Sequence, residues 1–248
     1  MSEQGEKLSE KRINMSLDEV DAKIIYHLYG DLKVNTLLVS FHEKRRVLST
    51  LDGYKEASYV ANTYTPPELA EYMMQNLSEY KRNLPLALGI DPGEIRFLIT
   101  AVDMDNLAFC EQSYEEFKVS CLATAGAKDN AMRAGLDVTR YVERNGDVSA
   151  IGTINLIILT NATLSEGAMA RAIITATEAK TAALQDLDVK STYSPQYQAT
   201  GTGTDNMIVV SGKMGKPLHV SSGHTKMSEL IAFATKIAVI QALKNQDK

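Results

Sequence analysis

Gly152-Thr-Ile-Asn-Leu-Ile-Ile-Leu-Thr-Asn161 is the stretch on which the fold turns. The apolar run around it, Val148–Leu159, reads as a strand covered on both faces. Thr163-Leu-Ser-Glu166 follows with the pattern of a capping box, and opens a helix predicted to run to about Leu187. That helix holds Thr175-Ala-Thr-Glu-Ala-Lys-Thr181. Next comes a glycine loop, Ala199-Thr-Gly-Thr-Gly-Thr-Asp205, leading into a strand over Asp205–Ser211. Strand, helix, loop and strand thus succeed one another, and each carries polar groups that a simple core would exclude.

Outward from this centre, residues 1–15 are polar and read as a flexible, solvated tail. Ser16-Leu-Asp-Glu19 fits a capping box and predicts a helix through Ile24 and Leu28, ending near Gly30. Val34–Phe41 and Arg45–Thr50 predict a hairpin joined by His42-Glu-Lys44. Tyr64-Thr-Pro-Pro67 starts a helix through Leu69, Tyr72, Met73 and Leu77, since proline suits a first helical turn. Arg96–Val102 and Lys118–Ala125 predict strands joined by a short helical connection. Thr124–Gly135 is a small-residue loop, and Thr225–Lys244 a closing helix. No repeat or linker divides residues 16–248, which read as one layered domain of α+β class. Its mixed sheet carries helices packed on it; α/β is the alternative.

Bulk chemistry narrows the function. Lys and Arg total 26 against 31 Asp and Glu, a net charge of −5, which argues against a dedicated nucleic-acid binder. No apolar run approaches the length of a membrane helix, so no membrane partner is expected. The polar N-terminus lacks an apolar signal core and the two cysteines, Cys110 and Cys121, form no CxxC pair; both fit a cytoplasmic protein. The histidines His27, His42, His219 and His224 show no metal-ligand spacing, so no metal is expected.

On a helical wheel, Met169, Ala172, Ile173, Ala176, Ala183, Leu184 and Leu187 share one face of the 163–187 helix. Lys180 lies inside that face. Either it snorkels to an edge, or its ammonium meets a carboxylate in a roofed site. Glu178 points the other way, on a stripe with Arg171, Thr175, Thr181 and Gln185, so Glu178 and Lys180 can hardly reach one site. The threonine-glycine loop meets neither the P-loop pattern nor GxGxxG, because Asn206 stands in the last glycine's place. It is a tight turn, or its amides form an oxyanion hole beside Asp205. Asn155, polar in an apolar strand, either binds a substrate amide or fixes the neighbouring loop. His224 is a helix-cap residue or an acid–base group.

These segments, taken together in order, resemble the adenosylcobinamide amidohydrolase family. The resemblance covers about Val47 to Leu243. It rests on Phe97-Leu-Ile-Thr-Ala-Val102, Thr124-Ala-Gly126 with Asn130-Ala131 and Gly135, Gly152-Thr-Ile-Asn155, Leu164, and Thr175–Thr181. Ala199–Asp205 and Gly223-His-Thr-Lys226 with Glu229-Leu-Ile231 complete it. Ala127-Lys-Asp129 lengthens a loop that is shorter in the family pattern. The resemblance implies hydrolysis of the amide between aminopropanol and the corrin ring of adenosylcobinamide. The products would be adenosylcobyric acid and 1-amino-2-propanol, and the salvaged corrinoid would return to adenosylcobalamin biosynthesis.

The corrinoid is then a small-molecule substrate, with no cofactor implied; no Asp-x-His-x-x-Gly cobalt-ligand motif is present. A homo-oligomer is compatible with the sequence. The family brings no established catalytic set, so roles follow from residue chemistry. Asp205 or Glu178 is the general base, Lys180 holds the base ionised or stabilises developing charge, and His224 protonates the amine. Thr204 is the alternative, covalent nucleophile. Asn130, Thr153, Asn155, Gly201, Thr202 and Gly203 are the expected substrate contacts, with the Gly201 and Gly203 amides as oxyanion hole. The rival readings are a non-catalytic corrinoid carrier, an amidase for another amide, and a nucleotide binder.

Overall fold

The structure, a computed structural model, describes residues 6–138, 153–220 and 222–246. Its backbone is organised by one long strand, β3 (Leu32–Ser49). Along one edge β3 pairs with β4 (Gly53–Tyr64). Its other edge is divided. The first half pairs with β2 (Val20–Tyr29), and Val47–Ser49 pair with β12 (Asn206–Val210). From β12 the sheet continues through β9 (Ile154–Thr160) and β7 (Phe117–Ala125) to β6 (Ala108–Tyr114). Beyond β2 it ends at β1 (Lys7–Ile13), while β5 (Ile95–Thr100) extends it from β4. The β12–β9 and β4–β5 pairs are parallel and the others antiparallel, so the sheet is mixed, as expected.

With β2 and β12 sharing one edge of β3, the sheet curls, and three hydrophobic clusters form on its faces. Inside the curl, Leu37, Val39, Val47, Leu98, Leu122, Ile157, Leu159 and Ile208 pack together. On the opposite face of β7, β9 and β12 lie α3 (Glu166–Asp186) and α4 (Lys226–Gln246). Alternation along β9 sends Ile157 and Leu159 inward and Leu156 and Ile158 towards the helices, so both faces of that strand are covered. The third cluster holds α1 (Pro67–Gln75) and α2 (Leu77–Ala87) against the sheet through Leu69, Tyr80 and Leu84. This is an α+β architecture. Among the described residues, no helix is long and apolar enough to cross a membrane.

Several local expectations are corrected. Ser16–Glu19 opens no helix: Glu19 turns at φ 61° and β2 follows, paired at ten consecutive positions with β3. The ladder supplies more than a lone capping box can, and Val, Ile and Tyr suit it. Residues 7–13 of the expected tail form β1, an exposed edge strand held by its pairing with β2 and not by apolar burial. His42-Glu-Lys44 is no hairpin turn, since β3 continues through it with an irregularity in its pairing to β4 between Ser40 and Arg45. The turns fall beside Gly30 and Gly53, whose φ values of 58° and 71° suit glycine. The expected helix after Pro67 breaks at Asn76 into α1 and α2. Between Val102 and Lys118 there is a single 3-10 turn, Met104–Asn106, but also β6, whose polar Glu-Gln-Ser sequence hid an edge strand. Thr163 lies in β10 (Ala162–Leu164), and Ser165 caps α3 by accepting from Ala168 N at 3.2 Å. The early part of the predicted Val148–Leu159 strand, including Gly152, lies outside the described residues.

His27 on β2 is 1 % exposed, with Nε2 at 3.0 Å from Thr36 Oγ1, itself 3.1 Å from Thr63 Oγ1. Burial pushes its pKa below the ordinary 6.5, against a raising hydrogen bond to the Leu28 carbonyl. A lowered histidine pKa means that the unfolded chain takes up a proton first. Stability is therefore whole above the ordinary value and falls as pH drops below it. Urea midpoints measured at about pH 7.5 and about pH 5 are expected to separate less for His27→Gln than for wild type.

Candidate functional site

The site assembles where α3, the glycine loop and the first residue of β9 meet. Small residues bring α3 close to the sheet: Ala168, Ala172, Ala176 and Ala183 are fully buried. That close approach carries Lys180 inward, where it is 5 % exposed. Its ammonium donates to Asp205 Oδ2. Asp205 stands at the exit of the loop, one residue before β12.

The Asp205 carboxylate takes three further donors. Oδ1 accepts from Ile154 N at 3.0 Å and from Thr202 Oγ1 at 2.6 Å; Oδ2 accepts from Thr202 N at 3.0 Å. With Lys180 these fill the roughly four acceptor positions of a carboxylate. A buried charge needs such company, because desolvation costs several kcal/mol per ion. Glycine at 201 is required by the same packing. A Cβ there would lie 2.6 Å from Lys180 Nζ and would collide with the Asp205 carboxylate.

The loop is fixed from its other side by β11 (Gly201–Thr202), which pairs with β8 (Ala131–Met132). The Gly203 amide donates to the Asn130 carbonyl at 3.3 Å, and Asn130 Oδ1 accepts from Tyr193 OH at 3.3 Å. A Cβ on Gly203 would sit 3.0 Å from that Oδ1. Thr181 Oγ1, on the residue after Lys180, donates to the Thr200 carbonyl at 3.0 Å. A cavity of about 420 Å³ opens above the ion pair. Met132, Ala134, Ile173 and Met207 give it apolar walls; Lys180, Gly201, Thr202, Gly203 and Asp205 lie on its polar side.

Behind the cavity runs a buried polar chain. Asn62 Nδ2 donates to Thr124 Oγ1 at 2.8 Å, and Asn155 Nδ2 donates to Asn62 Oδ1 at 3.0 Å and to the Ile99 carbonyl at 2.9 Å. Thr153 Oγ1 is 3.1 Å from Asn155 Oδ1 and 2.5 Å from the Thr204 carbonyl. Asn155 is 1 % exposed and its amide is spent on Asn62 and Ile99, while Thr153 carries the contact to the loop. Asn62 was missed in the sequence, although a lone asparagine in Val60-Ala-Asn-Thr63 is the same signal as Asn155 in its strand.

The structure therefore brings together Lys180, Asp205, Gly201, Thr202 and Gly203, with Thr204, Thr153 and Asn130 beside them. Two expected residues are not brought in. Glu178 is exposed, as the wheel anticipated, and does not line the cavity. Thr175, expected on the same outer stripe, is instead buried against Ser228 of α4 at 3.4 Å. His224 is exposed just ahead of α4, whose Met227 Sδ meets Thr160 Oγ1 at 3.7 Å. Thr160 is the last residue of β9, whereas Asp205 meets its first, about 20 Å away at strand spacing. The Gly203 amide, expected in an oxyanion hole, is committed to Asn130. Among the described residues no group of three or more His, Cys, Asp or Glu could hold a metal ion.

A family model described as adenosylcobinamide amidohydrolase matches residues 21–248. The chain belongs to that family. The match starts earlier than the resemblance read from the sequence and takes in β2, while β1 lies outside it. An uncharacterized protein of Methanocaldococcus jannaschii is 45% identical over 227 residues, covering 87% of this chain and 88% of its own length. The protein named adenosylcobinamide amidohydrolase of Methanosarcina mazei is 32% identical over 151 residues, 60% of this chain and 58% of that one. A crystal structure of the PH0078 protein from Pyrococcus horikoshii OT3 aligns over 90% of this chain and 84% of that one. Its TM-score of 0.43 and 11% identity make it too remote to bear on function.

Removing one member of the buried pair leaves the other charge stranded. Lys180→Met is expected to cost about 3–5 kcal/mol in urea unfolding, and Lys180→Met with Asp205→Asn together less than the sum of the two single changes. Gly201→Ala, which adds only a methyl group, should destabilise by about 1–3 kcal/mol through forced displacement of Lys180 and Asp205.

Proposed function

We propose that the chain hydrolyses the amide joining aminopropanol to the corrin ring of adenosylcobinamide, releasing adenosylcobyric acid and 1-amino-2-propanol. The observation that carries this reading is the Lys180–Asp205 pair on the floor of a cavity whose polar side is the threonine-glycine loop. Membership of the family supplies the substrate class, and the pair supplies groups suited to amide chemistry. Corrinoid salvage for adenosylcobalamin biosynthesis, in the cytoplasm, is the setting this activity fits.

The cavity's size matches part of that substrate. A volume of about 420 Å³ lies at the lower end of pockets that enclose drug-sized ligands. A corrin ring with its adenosyl group is several times larger. The amide-bearing arm enters, and the ring stays outside the mouth. Apolar walls at Met132 and Ile173 suit the methylene and methyl groups of the arm.

Amide hydrolysis requires stabilisation of a developing oxyanion. With the amides of Thr202 and Gly203 already committed, the Lys180 ammonium is the positive group facing the cavity that can meet it. Asp205 holds that ammonium in place and provides the carboxylate through which a proton passes. The corrinoid is substrate in this scheme, and the reaction calls on no bound cofactor.

Purified protein incubated with adenosylcobinamide is expected to form adenosylcobyric acid, detected by mass spectrometry. Lys180→Met should lower kcat by about a hundredfold to a thousandfold, the range for loss of one oxyanion-stabilising group. Wild type that binds the corrinoid without forming product would make it a carrier, and wild type that does neither would point to a different substrate.

A further inference from the structure

We propose that Thr202 is the covalent nucleophile of this site, an inference that rests on the amide-hydrolase reading above. The argument starts from the saturation of Asp205. A carboxylate acting as base on water must offer that water an acceptor position. Here the positions are held by Ile154 N, Thr202 N, Thr202 Oγ1 and Lys180 Nζ. Two of these donors are backbone amides, which do not yield. The third is the ammonium that the site needs for charge stabilisation. The Thr202 hydroxyl is the one O–H among the four, at 2.6 Å from Oδ1. It lines the cavity although its residue is only 7 % exposed. Nucleophile, base and a third group orienting the base are thus already in hydrogen-bond contact, the arrangement that activated hydroxyl nucleophiles require.

Thr204, the nucleophile considered from sequence, lacks this setting. Its backbone carbonyl accepts from Thr153 and Asn206, its amide donates to Thr202 Oγ1 at 3.5 Å, and it is not among the residues that line the cavity.

The chemistry balances without any further reagent. Thr202 Oγ attacks the amide carbonyl carbon while its proton passes to Asp205. The oxyanion that forms is met by the Lys180 ammonium. The tetrahedral adduct collapses, the C–N bond breaks, and Asp205 delivers the proton to the nitrogen, which leaves as 1-amino-2-propanol. The corrin is now held as an ester of Thr202. Its departing amine vacates space for water, which loses a proton to Asp205 as it adds to the ester carbon. The C–O bond to Thr202 breaks, the proton returns to its oxygen, and adenosylcobyric acid leaves. One water is consumed.

The test uses the full-length chain with adenosylcobinamide and compares wild type with Thr202→Val and Thr202→Ser. Valine keeps the shape and the backbone bond to Asp205 but has no hydroxyl; serine restores one. Thr202→Val is expected to lose at least about a thousandfold in kcat while binding the corrinoid as wild type does, followed by the corrin's visible absorbance. Thr202→Ser should keep turnover to within about tenfold and, like wild type, give a corrin ester on the residue-202 peptide after acid quench, or a hydroxamate when hydroxylamine is present. Thr202→Val that turns over within about tenfold of wild type overturns the proposal. So does an inactive Thr202→Val if wild type yields neither ester nor hydroxamate, since Thr202 would then only position water. Wild type without any turnover of adenosylcobinamide sinks the amide-hydrolase reading itself, and this inference with it.

Discussion

The Asp205 carboxylate joins three parts of the fold at one point. Through Ile154 N it holds the start of β9, through Thr202 it closes the glycine loop, and through Lys180 it fixes α3. Taking a carboxylate and an ammonium out of water is costly, and only near-complete hydrogen bonding offsets it. Other features follow from this. The alanine-lined face of α3 allows the helix to come near enough for Lys180 to reach. Glycine at 201 leaves the volume in which the two charges meet. A substitution at any of these positions acts on the same pair.

Rigidity behind the pair comes from the buried chain Thr124–Asn62–Asn155–Thr153, which ties β7, β4 and β9 to the Thr204 carbonyl. Unsatisfied polar groups at that depth would be expensive, so the chain permits few alternative arrangements. The loop is thereby held between two networks, one ionic and one neutral. Donors held in place before substrate arrives do not have to reorganise during reaction, which is the physical basis of catalysis by fixed dipoles and charges. The cavity follows the same division, with apolar walls that include two flexible methionines on one side and fixed polar groups on the other.

Legibility in the sequence depended on range. The strand at 154–160, the helix reaching Asp186 and the closing helix carry their periodicity locally, and all three are present. The wheel separated Lys180 from Glu178, and burial follows that separation. Errors clustered where a segment's pairing or packing partners, and not its own pattern, decide its structure. A capping-box pattern at Ser16 gave way to a ten-position ladder between β2 and β3, and a supposed hairpin proved to be the unbroken β3 with a divided edge. Thr175 shows the same thing on a helix: the wheel put it outside, but α4 packs over it and Ser228 receives it. A wheel assumes one buried face, and α3 has two neighbours.

By itself the sequence determined the α+β class, the family, and the residue types at the site, because apolar period, glycine placement and ordered motifs are properties of short windows. Tertiary structure alone decided which of those residues meet. That Lys180 finds Asp205, that Asn155 finds Asn62, and that His224 lies at the other end of β9 all depend on how strands from distant parts of the chain are ordered in one curled sheet. Side-chain chemistry is encoded residue by residue, but proximity is fixed only when burial and hydrogen bonding are satisfied across the whole sheet at once.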